Sequence, residues 1–353
     1  RKFYQHGDCG HYISDIFPHL AKVADELCVI NSLRTNQINH DPAHSFMNCG
    51  SIIPNRPSMG SWINYGLGSV SENLPGFVVL TSIGGRNPQP IAARQWSSGF
   101  LPSKFGGVEF HSAGDPVHYV TNPPGISRDR QEHLVAAIRD LNRMRASETH
   151  DPEIDSRISQ YELAFRMQRH APEAIDLTEE TQETQLLYGM DQPETAVFGR
   201  NCLLARRLVE RGVRFIQLYH QGWDQHANLP TAIAGQCRET DRASAALVND
   251  LARRGMLDDT LVAVLGDFGR TPTINVNDAG RDHWNYCYTV MFAGGGFRRG
   301  FVYGASDKAG AFPADRPTTP SHVIATLYHL LGVDHRRRLY DRFDRPHHIV
   351  PTG

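Results

Sequence analysis

The stretch 213–226, VRFIQLYHQGWDQH, contains the pattern on which the fold prediction rests. Its apolar first half is typical of a buried strand, and a helical pattern that begins at Ala196 precedes it. Asp224 and His226 follow directly at the carboxyl end of that strand. Because they are two residues apart in an extended loop, both side chains can point to the same side. A carboxylate and an imidazole so placed suit one divalent ion.

The alternation of helix and apolar strand continues on both sides of this stretch. Apolar strands are predicted at 28–33, 77–81, 260–267 and 288–296. Helices are predicted at 14–27, 41–50, 57–68, 128–147, 151–170, 196–212, 231–255 and 321–332. Such alternation indicates an α/β protein with a mostly parallel central sheet, covered by helices on both faces as a three-layer α/β/α structure. Between Gly84 and Gly125 the chain is rich in Gly, Pro and Ser, which predicts long ordered loops.

Composition excludes several classes of protein. The chain has 353 residues with 36 Lys+Arg and 38 Asp+Glu, a formal net charge of -2, so nothing favours nucleic-acid binding. No run approaches the roughly 18 apolar residues of a membrane span. Six cysteines occur singly with no CxxC pair, so a disulfide framework is not expected. The 18 histidines matter more, because imidazole is the commonest transition-metal ligand.

Two further regions are predicted to place metal-ligand side chains at the same edge of the sheet as Asp224 and His226. The strand 260–266 ends in Asp267, and GRDHWN places Asp282 and His283 before the strand that begins at Tyr288. Sites in open α/β sheets form at the carboxyl ends of the strands, so we expect Asp224, His226, Asp267 and His283 to converge there. The alternative is a structural polar network in which imidazoles pair with carboxylates.

The sequence resembles the alkaline phosphatase superfamily, which includes sulfatases and phosphonate ester hydrolases. Within it the chain is most similar to the sulfatase-like bacterial proteins grouped as domain of unknown function number fifteen hundred and one. The resemblance covers nearly the whole chain and rests on the stretches QHGDCG, INHDPAHSF, RPSMGSW, YELAFRMQ, LLARRLVERGVRF, GWDQH, FGRTP and GRDHW.

The resemblance implies a single sulfatase-like domain over residues 1–353, with 84–195 as an insertion of loops and covering helices. It implies that Asp224 and His226 bind one metal, that Asp267 binds a second, and that His283 returns to the first. Asp282 and Arg270 are expected to contact the substrate. The mixed ligand set favours zinc or manganese, and calcium remains an alternative. A first strand with one more carboxylate ligand is expected upstream of Arg1.

The sequence departs from the sulfatase pattern at the nucleophile and at one ligand. His40 stands where sulfatases have Cys or Ser, and His44 stands where they have Arg. Phe268 follows Asp267 where many relatives have His, so that ligand is absent or supplied from elsewhere. His40 and His44 are therefore the candidate catalytic residues. His40 could accept a transferred group, act as a general base or bind the metal itself.

Asp41, Pro42 and Gly50 predict a helix that starts beside His40, with Asp41 as its cap. The positive end of this helix favours a neutral His40 ring. A buried histidine that merely caps the turn is the structural alternative.

Two functions follow from these residues. The first is a metal-dependent hydrolase of sulfate or phosphate esters, whether small molecules or glycans. The alternative is a catalytically degenerate protein of the same fold that holds an anionic glycan or a partner through the loops around Arg86, Arg94 and Trp96. No nucleic acid and no membrane span are expected, and the oligomeric state is open. An extracytoplasmic location is expected if an export signal preceded Arg1.

Overall fold

The computed structural model describes residues 1–83, 89–111, 125–149, 151–341 and 343–350. The α-helices are α1 (His40–Cys49), α2 (Met59–Leu67), α3 (Arg128–Thr149), α4 (Pro152–Ile175), α5 (Gln182–Leu187), α6 (Pro193–Glu210), α7 (Leu229–Arg253) and α8 (Pro320–Leu330). Short 3-10 helices span Leu20–Glu26, Ala93–Trp96, Ser103–Phe105 and Leu177–Glu179.

The strands are mostly short. They are β1 (Phe3–His6), β2 (His11–Ser14), β3 (Leu27–Leu33), β4 (Phe77–Ser82), β5 (Val108–His111), β6 (Phe215–His220), β7 (Val262–Val264), β8 (Gly269–Arg270), β9 (His283–Trp284), β10 (Tyr288–Ala293), β11 (Phe301–Tyr303), β12 (Ala305–Ser306), β13 (Pro313–Asp315), β14 (Arg338–Tyr340) and β15 (Pro346–His348).

Two sheets form the centre of the protein. One has the order β5-β4-β6 and is entirely parallel. The other has the order β11-β3-β10-β7, in which β10 runs antiparallel to both of its neighbours and β11 runs parallel to β3. Four two-stranded antiparallel ladders and an isolated parallel bridge between Leu33 and Thr318 are also described. The α/β class is confirmed, but a mostly parallel arrangement holds for the three-stranded sheet only.

Helices cover both faces of each sheet. In the three-stranded sheet, Val78 and Leu80 pack with residues of α4 and α6, whereas Phe77 and Val79 pack with Trp96 on the other face. In the four-stranded sheet, Phe292 packs against α8, and Ala293 packs against α7. Alternate residues of a strand point to opposite faces, so the central strand β4, covered on both faces, buries a nearly continuous apolar run.

Two local predictions at helix starts are wrong. Residues 14–27 do not form one α-helix: Ser14 ends β2, and a 3-10 helix begins at Leu20. Pairing of β2 with β1 overrides the local helical pattern, and the Asp241 carboxylate accepts the Leu20 N–H at 2.8 Å. At α1 the capping position is Asn39, while Asp41 lies in the first turn and accepts from Arg94 Nε at 2.9 Å. The predicted end at Gly50 is confirmed, because Gly50 adopts a left-handed φ of 70°.

None of the helices within the described ranges has the length and apolar character needed to cross a membrane. The six cysteines, all inside those ranges, are free.

Candidate metal centre

The topology brings distant residues to one rim. Strands β3 and β7 share one direction because each is antiparallel to β10. The carboxyl ends of β3 and β7 therefore lie at the edge where β10 begins. His40 follows β3, Asp267 follows β7, and His283 precedes β10. The loop after β6 brings Asp224 and His226 to the same place.

Asp224 is the centre of this group. Its Oδ1 lies 2.8 Å from His226 Nε2, 3.2 Å from His283 Nε2 and 3.3 Å from His40 Nε2. Arg270 donates to the same oxygen at 2.6 Å. The Nε2 atoms of His226 and His283 are themselves only 3.1 Å apart. Three imidazoles thus direct the same ring nitrogen at one carboxylate oxygen.

The other ring nitrogens of these three histidines all face acceptors. The Nδ1 contacts are His40 to Asp267 Oδ2 at 2.6 Å, His226 to Asp282 Oδ1 at 3.1 Å and His283 to the Ile38 carbonyl at 2.6 Å. Because carboxylates and carbonyls accept hydrogen bonds, each Nδ1 carries a hydrogen. The three Nε2 atoms are then either lone pairs available to a cation or the second N–H of protonated rings. Outward Nδ1–H bonds of this kind are typical of metal-binding histidines.

One atom of the centre is unpaired in hydrogen-bond terms. His40 Nε2 is buried and makes no hydrogen bond of acceptable geometry, although Asp224 Oδ1 lies 3.3 Å away. A buried nitrogen without a hydrogen bond is costly unless something else satisfies it. A cation between His40 and Asp224 would do so.

The charges at the site shift the pKa values of its carboxylates and imidazoles. Burial alone would raise the pKa of Asp224, but Arg270, His40 and His283 outweigh it and lower the pKa to about 2. Likewise, His40 and His44 overcome burial and hold the pKa of Asp267 well below its usual range. Both carboxyl groups are therefore ionised at neutral pH.

The pKa values of His40 and His283 are shifted in opposite directions. Burial opposes the charge on His40, but Asp267 and Asp224 outweigh it and raise its pKa. This shift runs against the predicted preference of the helix terminus for a neutral His40 ring, because two carboxylates act against one helix terminus. Burial, together with the charges of Arg270 and His40, lowers the pKa of His283.

Phe268 packs against the site. Its ring stacks on His40 with centroids 4.9 Å apart, and its backbone N–H donates to Asp267 Oδ1 at 3.0 Å. The side chains beside Asp267 come from α1: His40 lies at 2.6 Å and His44 Nε2 at 3.3 Å from Oδ2. No histidine follows Asp267 in the sequence, but two histidines of α1 contact its carboxylate in the folded chain.

Two candidate ligand groups result from this geometry: His40, Asp224 and His283, and His40, His44 and Asp267. Within each group the ligand atoms lie within 4.8 Å of one another. His40 belongs to both groups. All four predicted metal ligands and both predicted catalytic histidines are brought together.

The two residues expected to contact substrate lie beside these ligands. Arg270 is engaged with Asp224, and it also donates to the Trp223 carbonyl at 3.0 Å. Asp282 lies behind His226, with its side chain 63% exposed.

The loop region assigned to the alternative function fits it poorly. Trp96 is 6% exposed and packs against Tyr219, so the prediction that it offers a binding surface is wrong. Arg94 is half exposed and paired with Asp41. Arg86 lies outside the described residues.

Gln95 is a site residue that sequence reasoning missed. Its side-chain nitrogen lies 3.2 Å from His44 Nδ1, and the residue is 2% exposed. It occupies the Gly- and Pro-rich segment, where no periodicity marks it. No signal in the sequence could have identified it.

The segment 275–281 holds the ligand loop from behind. Asn275 Nδ2 donates to the His226 carbonyl at 3.2 Å, and Arg281 N donates to the Gln225 carbonyl at 3.1 Å. At Gly280 an added Cβ would lie 1.7 Å from the His226 carbonyl oxygen. Only glycine permits this close approach. The position of His226 is therefore determined by backbone contacts as well as by its own ring.

Comparisons with known proteins place the chain in a family. No curated protein matches the sequence. The chain is similar to the crystal structure of Ps i-CgsB in complex with k-i-k-neocarrahexaose, with a TM-score of 0.41 and 14% identity, over 90% of this chain and 66% of that chain. A family model described as protein of unknown function (DUF1501) matches residues 1–353, so the chain belongs to this family.

Proposed function

We propose that the protein is a metal-dependent hydrolase of sulfate or phosphate esters. The observation that carries the proposal is the set of three imidazoles, each with Nδ1 bonded outward and Nε2 directed at Asp224. Three imidazoles and one carboxylate form a first-row transition-metal donor set. The resemblance to the alkaline phosphatase superfamily supports the choice of ester class.

The residues that would hold the ion are Asp224, His226, His283 and His40. Of the three roles open to His40, metal binding fits its contacts best, because Nδ1 is bonded to Asp267 and Nε2 faces the centre. Asp267 then orients His40 as its outer partner instead of binding the ion. Imidazole ligands favour zinc or manganese, and they disfavour calcium, which takes oxygen ligands.

A bound divalent ion would polarise the ester oxygen and promote attack by water. The protein itself contributes positive charge and orientation. The Arg270 guanidinium, 20% exposed beside Asp224, can bind an anionic ester oxygen. Substrate contact would require Arg270 to share its hydrogen bonds between Asp224 and the ester. Asp282 supports His226 from the solvent side and acts on the substrate only through that ring.

A catalytically degenerate binding protein is the second candidate, and one contact favours it. Arg270 already places a positive charge 2.6 Å from Asp224 Oδ1 and lies 3.4 Å from His226 Nε2. A guanidinium in this position can balance the carboxylate without a metal. In that case the histidines and carboxylates form a permanent polar network. Of the three loop residues predicted to hold an anionic glycan, Arg94 is the one that is both described and exposed, and it pairs with Asp41.

Metal content separates the two candidates. The purified chain and its variants His226→Ala and His283→Ala should be analysed for bound zinc and manganese by elemental analysis. His133→Ala, at an exposed position on α3, is the matched control. We expect about one ion per chain in the parent and in the control, with strong loss in both site variants. A metal-free parent after incubation with zinc and with manganese would refute the proposal in favour of the polar network.

Activity should then be measured on the metal-loaded chain with a panel of aryl sulfates and aryl phosphates. We expect turnover of at least one ester class, abolished by His283→Ala and retained by His133→Ala. A chain that binds metal and turns over neither class would exclude the hydrolase and leave the binding function.

A further inference from the structure

His44 differs from the other three histidines of the site in what its Nδ1 contacts. The Nδ1 atoms of His40, His226 and His283 face acceptors, whereas His44 Nδ1 faces the side-chain nitrogen of Gln95 at 3.2 Å. His44 Nε2 lies 3.3 Å from Asp267 Oδ2. The question is which ring nitrogen of His44 carries the hydrogen.

Pro90 settles the orientation of the Gln95 amide. The same side-chain nitrogen lies 2.7 Å from the Pro90 carbonyl oxygen, which can only accept a hydrogen bond. A flipped amide would place two oxygens at that distance. The NH₂ group therefore faces both Pro90 and His44, and it has one hydrogen for each.

The Gln95 amide is held in place by its surroundings. Gln95 is 2% exposed and lies in the 3-10 helix Ala93–Trp96. The helix is anchored by Trp96, which is buried against Tyr219 and whose carbonyl accepts the Gly107 N–H at 2.8 Å. The Gln95 oxygen is buried and makes no hydrogen bond among the described residues. The amide thus keeps its donor side toward His44 without an alternative partner that would rotate it.

From this geometry we infer that Gln95 is a positioning residue that holds His44 as the Nε2–H tautomer, so that His44 donates a hydrogen bond to Asp267 Oδ2 and is not a metal ligand. A hydrogen on Nδ1 would point at the Gln95 NH₂ group. Nδ1 must therefore accept, and the ring hydrogen is on Nε2. The exclusion of His44 from the metal ligands rests on the proposed function, whereas the tautomer does not.

The two histidines of α1 therefore have different roles. His40 and His44 are one helical turn apart and contact the same oxygen of Asp267. His40 directs a lone pair at the proposed metal position, whereas His44 directs its N–H at Asp267 Oδ2. His44 thus helps to hold the carboxylate that orients His40. It also leaves the group of His40, His44 and Asp267 without the three lone pairs that a second ion would need.

The tautomer can be measured directly by NMR on the whole chain labelled with ¹⁵N-histidine and loaded with zinc. The signals of His44 are identified by their loss in His44→Phe. We expect an unprotonated Nδ1 and a protonated Nε2. A protonated Nδ1 in the parent protein would overturn the inference.

Two substitutions at Gln95 form a matched pair, because both remove the hydrogen bond to Pro90. Gln95→Glu offers an acceptor to Nδ1, so a hydrogen should appear on that nitrogen. Gln95→Met offers neither donor nor acceptor and should leave His44 as a mixture of tautomers. If His44 in Gln95→Glu keeps the parent pattern in a chain with a parent-like melting temperature, Gln95 does not control the tautomer.

Metal content tests whether His44 is a ligand. His44→Phe should retain most of the zinc that the parent binds, whereas His40→Phe should lose it. Loss of zinc in His44→Phe equal to that in His40→Phe would overturn the inference. If the parent binds no metal, the proposed function fails, while the NMR result still decides the tautomer.

Discussion

Asp267→Asn distinguishes an outer partner of His40 from a metal ligand. Asp267 Oδ2 accepts from His40 Nδ1 at 2.6 Å, and Oδ1 accepts from Phe268 N at 3.0 Å. An asparagine has one oxygen for these two donors. Either His40 or the Phe268 N–H must lose its acceptor, which should cost about 1 to 3 kcal/mol of stability.

The effect on metal affinity follows from the same contacts. Removal of an outer partner typically weakens metal binding by about 10- to 100-fold, or about 1.4 to 2.8 kcal/mol. The side chain of Asp267 is 16% exposed, so Asp267→Asn should lie at the upper end of this range. Asp282→Asn changes the corresponding partner of His226, but that side chain is 63% exposed, so the loss should be below about 10-fold. Asp224→Asn removes a ligand and should have the largest effect.

The assay is isothermal titration calorimetry, in which zinc is titrated into chain from which metal has been removed with a chelator. Thermal melts of each metal-free variant are measured alongside. The expected order of zinc affinity is parent, Asp282→Asn, Asp267→Asn and then Asp224→Asn. Equal and complete loss of zinc binding in Asp267→Asn and Asp224→Asn, with both variants folded, would refute the outer role and make Asp267 a ligand.

Two further predictions concern stability. Burial lowers the pKa of His220 to about 4. The unfolded chain therefore binds a proton at His220 near pH 6.5, whereas the folded chain does not. The stability that is present above pH 6.5 is lost as the pH falls toward 4. The loss between about pH 7 and about pH 5 should be about 2 kcal/mol by urea unfolding, and His220→Gln should lack it; equal pH dependence in both proteins would contradict this. Arg206, 2% exposed, contacts Glu180 and Glu210 at 2.6 Å each, so Arg206→Met should cost about 1.5 to 3 kcal/mol by removing charge-assisted hydrogen bonds from carboxylates that keep Arg207 and Arg254 as partners. The exposed pair of Arg238 with Glu194 at 3.4 Å provides the control, since Arg238→Met should cost under about 1 kcal/mol; similar costs for both variants would show that burial does not set the magnitude.

The local pattern of the sequence was sufficient for several of the elements that carry the site. Strands predicted at 28–33, 77–81 and 288–296 and the helix that ends before Gly50 lie close to their observed bounds, because apolar runs and capping residues act over a few neighbours. The placement of Asp224, Asp267 and His283 at strand ends followed from the same patterns. Local patterns failed at 14–27, where pairing with β1 and contact with Asp241 override helical spacing.

The sequence by itself determined which side chains are available to the site; the tertiary structure decided how they are used. The direction of β10 depends on pairing with strands far away in the chain, so local reading could not predict a mixed sheet. The partner of His40 is 227 residues away, and the carbonyl that orients His283 is 245 residues away. Hydrogen-bond partners determine which nitrogen of an imidazole carries the hydrogen, and these partners meet only after folding. For this reason the sequence alone does not show that His40 and His44, one turn apart on α1, carry their ring hydrogens on different nitrogens.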